Sequence, residues 1–227
     1  MDLYTTVMAS EELGVTPAAV RRLVDSGRLQ ATKLAGALLF EPASIHRLQR
    51  CSRSPGRIWS PRTAWAALEI LHNQQTELID QPRRSRLTRQ LRSLEAAELH
   101  RLARNHSQLR RFRGGSRVRS SLAGKLLPTG VSSIAQDTIA DRFGLAGAFE
   151  EDRLEGYWVG SIESLLDRIP MALDEVGGVL VRFVDDHELI SGAVGSDAVI
   201  ALDLMDSDDI RERGAGRDAL QRMIANA

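Results

Sequence analysis

Cysteine is almost missing from this chain: Cys51 is the only one. A lone thiol excludes an internal disulfide, and no metal-binding neighbours surround it, so no metal or other cofactor is expected and a reducing, cytoplasmic setting is. Aromatic residues make up 4% of the sequence, too few to suggest the stacked platforms that hold single-stranded bases. Lysine is scarce as well. Of 30 basic side chains only Lys33 and Lys125 are lysine. A GC-rich genome produces that bias as readily as selection for guanidinium chemistry, so not every arginine is read as a contact. No apolar run approaches the ~20 residues of a spanning helix, and no membrane partner is expected. Asp2 and the Thr5-Thr6 pair stand where a signal peptide would need a basic and then an apolar stretch, so none is expected.

Charge is abundant and unevenly placed. Residues 1–125 hold 22 of the 30 basic and 10 of the 30 acidic residues, whereas residues 126–227 hold 8 and 20. Formal net charge is zero, yet the two halves carry opposite signs, which points to a basic, nucleic-acid-facing part and an acidic part with another task. With 227 residues, 43% of them hydrophobic, the chain can bury one large core or two to three small ones.

The first fifty residues carry the sharpest local signals. Thr5 or Thr6 caps a short helix that Gly14 ends, since glycine takes positive φ readily. Thr16 caps a second helix with Pro17 at its first position. Val20, Leu23 and Val24 share one face of that helix, while Ala18, Arg21, Arg22 and Asp25 fall elsewhere. Ser26-Gly27 stops it, the span 29–40 suits a hairpin turning near Ala35-Gly36, and Pro42 opens a third helix through Arg50. Helix, tight turn, helix and hairpin make the winged form of helix-turn-helix, whose second helix enters the major groove. On this reading Thr16 donates to phosphate, Arg21 and Arg22 meet phosphate or guanine, Ala18 offers a methyl to thymine, and Arg28 and Lys33 lie along the DNA-facing edge and wing.

The segments Tyr4-Thr5-Thr6, Leu13-Gly14-Val15-Thr16-Pro17, Val20-Arg21-Arg22-Leu23, Ser26-Gly27-Arg28-Leu29 and Pro42-Ala43-Ser44 resemble the excisionase and MerR-like DNA-binding family over about fifty residues. The resemblance implies operator DNA as ligand. Ala18 and Ala19 stand where such proteins often carry polar base readers, so direct readout by this chain is expected to be thin.

The rest divides, by composition, into a linker over 52–60, an Arg-rich helical region over 61–107 and an acidic α+β domain over 108–227, after a DNA-binding domain over 1–51. Ser60-Pro61 opens a helix with Ala64, Trp65, Leu68 and Leu71 on one stripe, and two helices divide near Ser93. Residues 83–119 hold 12 arginines against Glu95 and Glu98. Solvated helix faces, phosphate contacts and docking onto acids compete to explain them. His72, His100 and His106 have no metal-site spacing and are expected at the surface or at caps. Further on, a strand over 108–112 is followed by a short helix over 116–126. An amphipathic helix then reaches Phe143, with helices over 161–169 and 170–175. A hairpin pairs 178–184 with 188–193, 198–204 is a third strand, and Ser207 or Asp208 caps the last helix. The fold class expected overall is α+β.

The turn Thr129-Gly130-Val131-Ser132 leading to Gly144-Leu145, together with Tyr157-Trp158-Val159, 179–184 and 199–204, resembles the C-terminal part of AbiEi-type antitoxins over about 108–225. That resemblance implies a DNA-binding antitoxin and autorepressor with a nucleotidyltransferase toxin as cognate partner. Homodimers reading two half-sites are expected of a helix-turn-helix protein. The alternative is a stand-alone regulator or recombination directionality factor without a toxin. Gly195-Ser196 followed by Asp203 and Asp206 is similar to a nucleotidyltransferase arrangement. Read as a strand, however, 198–204 sends the two carboxylates to opposite sides, so no enzyme is expected.

Overall fold

The computed structural model describes residues 3–27, 29–34, 36–50, 58–145 and 153–227. Arg28, Ala35, Cys51 and most of the expected linker lie outside the described residues. The molecule is α+β, and its chain forms two compact units, residues Met1–Pro55 and Gly56–Ala227.

The smaller unit runs β1 (Tyr4–Thr5), α1 (Thr6–Leu13), α2 (Pro17–Asp25), β2 (Thr32–Leu34), β3 (Ala37–Phe40) and α3 (Pro42–Arg50). Local chemistry sets its boundaries. The Met8 amide donates to Thr5 Oγ1 at 3.3 Å, which closes the start of α1. Gly14 ends α1 in the left-handed region at φ 65°, and the amides of Gly14 and Val15 donate back to Glu11 and Ser10 at 3.1 and 3.0 Å. Thr16 Oγ1 then accepts from the Ala19 amide at 3.2 Å, with Pro17 opening α2. A hairpin of β2 and β3 follows, and β1 adds to its far edge through Tyr4↔Phe40, giving the order β1-β3-β2. Ala9, Val20, Leu29, Phe40 and Ile45 make the buried core, with Leu23 and Val24 packed against it.

The larger unit begins with α4 (Pro61–Asn73), α5 (Gln81–Leu91) and α6 (Ala96–Ala103). Then come β4 (Gln108–Arg113), α7 (Ser116–Leu122), β5 (Leu127–Pro128), α8 (Gly130–Ser133) and α9 (Asp137–Phe143). The chain continues with β6 (Leu154–Val159), α10 (Ile162–Leu166), β7 (Ala172–Leu173) and β8 (Val179–Val184), and ends with α11 (His187–Ile190), α12 (Asp197–Leu204) and α13 (Ile210–Ala225). Its sheet has the order β5-β6-β8-β4-β7, with β6 and β8 parallel and the other pairs antiparallel.

Both faces of the sheet are covered, which is why β8 reads Val-Leu-Val-Arg-Phe-Val rather than alternating with polar residues. Val179, Val181 and Phe183 pack with Trp158, Leu122 and Leu165 on one side. On the other side Tyr157 and Val184 join a core drawn from α4, α5, α6, α9, α12 and α13. Gly216 of α13 lies so close to Ala201 and Leu204 of α12 that a Cβ there would collide with backbone. This close approach holds the two helices together.

Several sequence expectations change here. Residues 198–204 form helix α12, not a strand: Ser196 caps it, accepting from the Val199 amide at 3.4 Å, and burial on all sides accounts for its continuous apolar run. After β8 the chain turns into α11, so the hairpin to 188–193 does not form. The helix expected to reach Phe143 is broken into β5, α8 and α9, and the second of the helices over 161–175 is replaced by edge strand β7. Asp209, not Ser207 or Asp208, caps α13, accepting from the Arg211 amide at 2.6 Å and the Glu212 amide at 3.2 Å.

The Arg-rich stretch and the acidic half are not separate regions, because their apolar residues enter one core. Residues 56–227 carry 23 basic and 25 acidic residues, so the charge division seen along the sequence is largely cancelled within one unit. Arg111 pairs with Asp208 at 3.0 Å and Arg113 with Asp174 at 2.7 Å, which ties the arginine run to the acidic segment.

Candidate nucleic-acid interface

On α2 the apolar residues Val20, Leu23 and Val24 hold the helix to its own small core, leaving Ala18, Arg21, Arg22 and Asp25 exposed on the opposite side. Arg21 and Arg22 have no side-chain hydrogen bond or ion pair among the described residues, so two guanidinium groups face solvent. Thr16, at the start of the same helix, is exposed but already accepts a hydrogen bond from Ala19. Its hydroxyl proton remains available to an acceptor such as phosphate. Lys33 is exposed in the middle of β2, opposite Leu38 in the hairpin. Leu34 beside it is 62% exposed. The structure therefore brings Thr16, Ala18, Arg21 and Arg22 onto one short helix and puts Lys33 on the hairpin. Arg28 falls outside the described residues.

Sequence reading missed a second concentration of polar groups, in the larger unit. Arg182 projects from the middle of β8 and is 1% exposed. Its Nε donates to Glu155 Oε1 of β6 at 2.8 Å, and one terminal nitrogen donates to Asp206 Oδ2 at 2.9 Å. The same nitrogen lies 3.2 Å from Asp203 Oδ1, and the other donates to the Asp203 carbonyl at 3.2 Å.

Asp203, on α12, is held from every side. Thr129 donates to its Oδ2 at 2.6 Å, Tyr157 to the same oxygen at 2.7 Å, and His106 Nε2 to Oδ1 at 3.0 Å. His106 Nδ1 faces the Ala103 carbonyl at 3.0 Å, and its own carbonyl accepts from Trp65 Nε1 at 2.8 Å. The rings of Trp65, His106 and Tyr157 meet edge to face at centroid distances of 5.5–6.3 Å. His100 Nε2 reaches Asp206 Oδ1 at 2.8 Å. His106 is thus a buried partner and His100 a half-buried partner of a carboxylate, and neither is a surface or capping residue.

Burial and charge act against each other in this cluster. Desolvation pushes the Asp203 carboxyl up, but Arg182 and His106 outweigh it and leave it below its ordinary value. At Asp206 burial again pushes up, and His100 and Arg182 pull it far below the usual carboxylate range. Glu155 goes the other way: burial raises it, and the opposing pull of Arg182 is too weak to cancel burial together with the nearby Asp203 charge. Burial and then Asp203 raise the Tyr157 hydroxyl well above its ordinary value.

Because α12 is a helix followed by a tight turn, Asp203 near its end and Asp206 in the turn converge rather than diverge, which corrects the strand-based expectation. The point on which they converge holds the Arg182 guanidinium, and the donors around Asp203 all point at that carboxylate. The cluster binds β6, β8 and α12 together. Among the described residues no group of three or more His, Cys, Asp or Glu is set out to hold a metal ion. Near Leu71, His72 and Met223 a cleft of about 330 Å³ reaches the start of α12, and Arg142 on its wall is paired with Asp197 at 3.1 Å.

No protein-family model matches the chain, and no curated protein or solved structure matches it either.

Proposed function

We propose that the chain is a DNA-binding transcription regulator whose smaller unit acts as a winged helix-turn-helix. In this reading α2 enters the major groove and the β2–β3 hairpin serves as the wing against the neighbouring backbone. One observation carries it: Arg21 and Arg22 stand exposed, with no partner among the described residues, on the outward face of a capped helix whose other face is fixed to a core. A guanidinium fork matches guanine O6 and N7 or a phosphate. Ala18 supplies a methyl for thymine, and Thr16 and Lys33 supply backbone contacts. Homodimers would read half-sites about 34 Å apart.

The test is binding of the full chain to duplex DNA from beside its own promoter, compared with an unrelated duplex at matched salt. Replacing both Arg21 and Arg22 with Ala is expected to remove the preference, and each bidentate pairing with a base corresponds to about 1–3 kcal/mol. No preference by the wild type, or an unchanged preference in the variant, ends this reading.

The antitoxin role is a second reading, favoured by exposed Asp185, Asp186 and Glu188 around α11, an acidic corner suited to a basic toxin. The near balance of charge in residues 56–227 weakens long-range steering, so the stand-alone regulator comes first. Co-expression with the adjacent reading frame decides between them. A toxic neighbour neutralised by this chain establishes the antitoxin, and a harmless neighbour removes it.

A further inference from the structure

Many arginines of the larger unit are held by acids or by backbone carbonyls, as Arg62 is by Leu78 and Arg119 by Gly114. Arg111, Arg113, Arg153 and Arg182 lie against acids: Arg153, for example, meets Glu212 through two bonds of 2.8 and 3.0 Å. Helix α5 differs. It carries Arg83, Arg84, Arg86 and Arg89 and no acidic residue within its span. Asp80, its cap, accounts for Arg83 at 3.5 Å. Arg86 makes one bond, from Nε to the Pro82 carbonyl at 3.3 Å, and its terminal nitrogens have no partner among the described residues. Arg89 likewise has none among them. Both are exposed and sit three residues apart on the side of α5 away from buried Leu87 and Leu91.

We propose that this face of α5 is a second polyanion site that grips the phosphate backbone of nucleic acid without reading bases. The chemistry selects that ligand over a membrane. A helix that lies on lipid needs apolar side chains on its free side to insert. Here the leucines are turned into the core, and the free side offers guanidinium groups with Ser85, Gln90 and the small ring of Pro82, too little apolar surface to insert. The planar fork of arginine pairs with phosphate oxygens through two parallel hydrogen bonds. The site goes beyond the α2 reading and does not require it. Where both act, two weak attachments on one chain raise the overall affinity, because the second engagement is intramolecular.

The experiment measures binding of the full chain to two duplexes, one from beside its own promoter and one of unrelated mixed sequence, across about 50 to 200 mM salt. It compares the wild type, Arg86→Gln/Arg89→Gln, Arg86→Lys/Arg89→Lys and Arg21→Ala/Arg22→Ala. The glutamine pair is expected to flatten the log–log salt slope by about 1.8, roughly 0.9 for each phosphate no longer neutralised. It should weaken all sequences alike, leave the urea midpoint unchanged, and have its slope restored by the lysine pair. An unchanged slope and affinity in the glutamine pair overturns the proposal and leaves this face to solvent or to an acidic protein. The α2 variant separates the two readings. If it keeps the wild-type sequence preference while the glutamine pair loses slope, the α2 reading fails and the α5 site stands. If it loses the preference while the glutamine pair binds as wild type does, the reverse holds.

Discussion

Arg22 and Arg182 are the same side chain used in opposite ways. In the smaller unit Arg21 and Arg22 project from a nine-residue helix with no partner among the described residues. In the larger unit Arg182 is enclosed by Glu155, Asp203 and Asp206. An unpaired guanidinium at the surface costs the fold almost nothing and is free for an anionic ligand. A buried one stands only because carboxylates surround it, and those carboxylates depend on it in turn. Arginine content alone therefore says little about nucleic-acid binding, since the partner set decides.

Loss of Arg182 is expected to do the most damage. Replacing this residue with Met leaves the buried Glu155 and Asp203 carboxylates without its charge and Asp206 with His100 alone; the larger unit is expected to lose about 3–5 kcal/mol, read as a lower urea midpoint. A loss below about 1 kcal/mol would mean that the cluster relaxes into water and does not clamp β6, β8 and α12. Acid probes the same contrast from the carboxylate side. Asp203 and Asp206 have folded values below the ordinary 3.8, so their stabilisation is present above pH about 4 and fades as the pH falls towards those lowered values. Each group contributes a slope of up to about 1.4 kcal/mol per pH unit. Glu155, raised in the fold, acts in the opposite sense as pH climbs from its ordinary 4.5. Unfolding followed from pH 5 downwards should be visibly flatter in Asp206→Asn than in the wild type.

Smaller effects belong to the smaller unit. Thr16→Ala removes the acceptor for the Ala19 amide and should cost that unit about 1 kcal/mol, detectable as faster amide exchange in α2 with exchange in α12 unaltered. The least effect is expected from Arg21→Ala and Arg22→Ala, which should stay within about 0.5 kcal/mol in stability while still changing DNA affinity. If thermal unfolding shows a larger shift, these arginines have structural partners and the contrast with Arg182 narrows.

Where the sequence could be read and where it could not follows the range of the interactions. The caps Thr5 and Thr16, the left-handed Gly14, Pro17 and the start of α3 at Pro42 are legible because each depends on neighbours three or four residues away. The same holds for Ser60 and Pro61 at the start of α4. The strand β1, only two residues long, gives no periodicity to detect. In the larger unit the run Ala198–Leu204 fits a buried strand or a buried helix equally well by pattern, and only packing on α13 and α4 resolves it. His106 and Asp203 lie 97 residues apart, so their pairing leaves no local trace. One clue was present: a single arginine inside the apolar strand Val179–Val184, and a single aspartate inside the apolar run of α12, each demand a buried partner of opposite charge.

The shared core of the larger unit bears on how such a chain could be assembled by gene rearrangement. A crossover within residues 51–57 exchanges the first unit as a complete folded piece. A crossover near residue 107 separates His106 from Asp203 and Trp65 from Tyr157, and both products inherit half of an interior. Descendants of this chain are therefore expected to trade their front ends while residues 58–227 are inherited as a block.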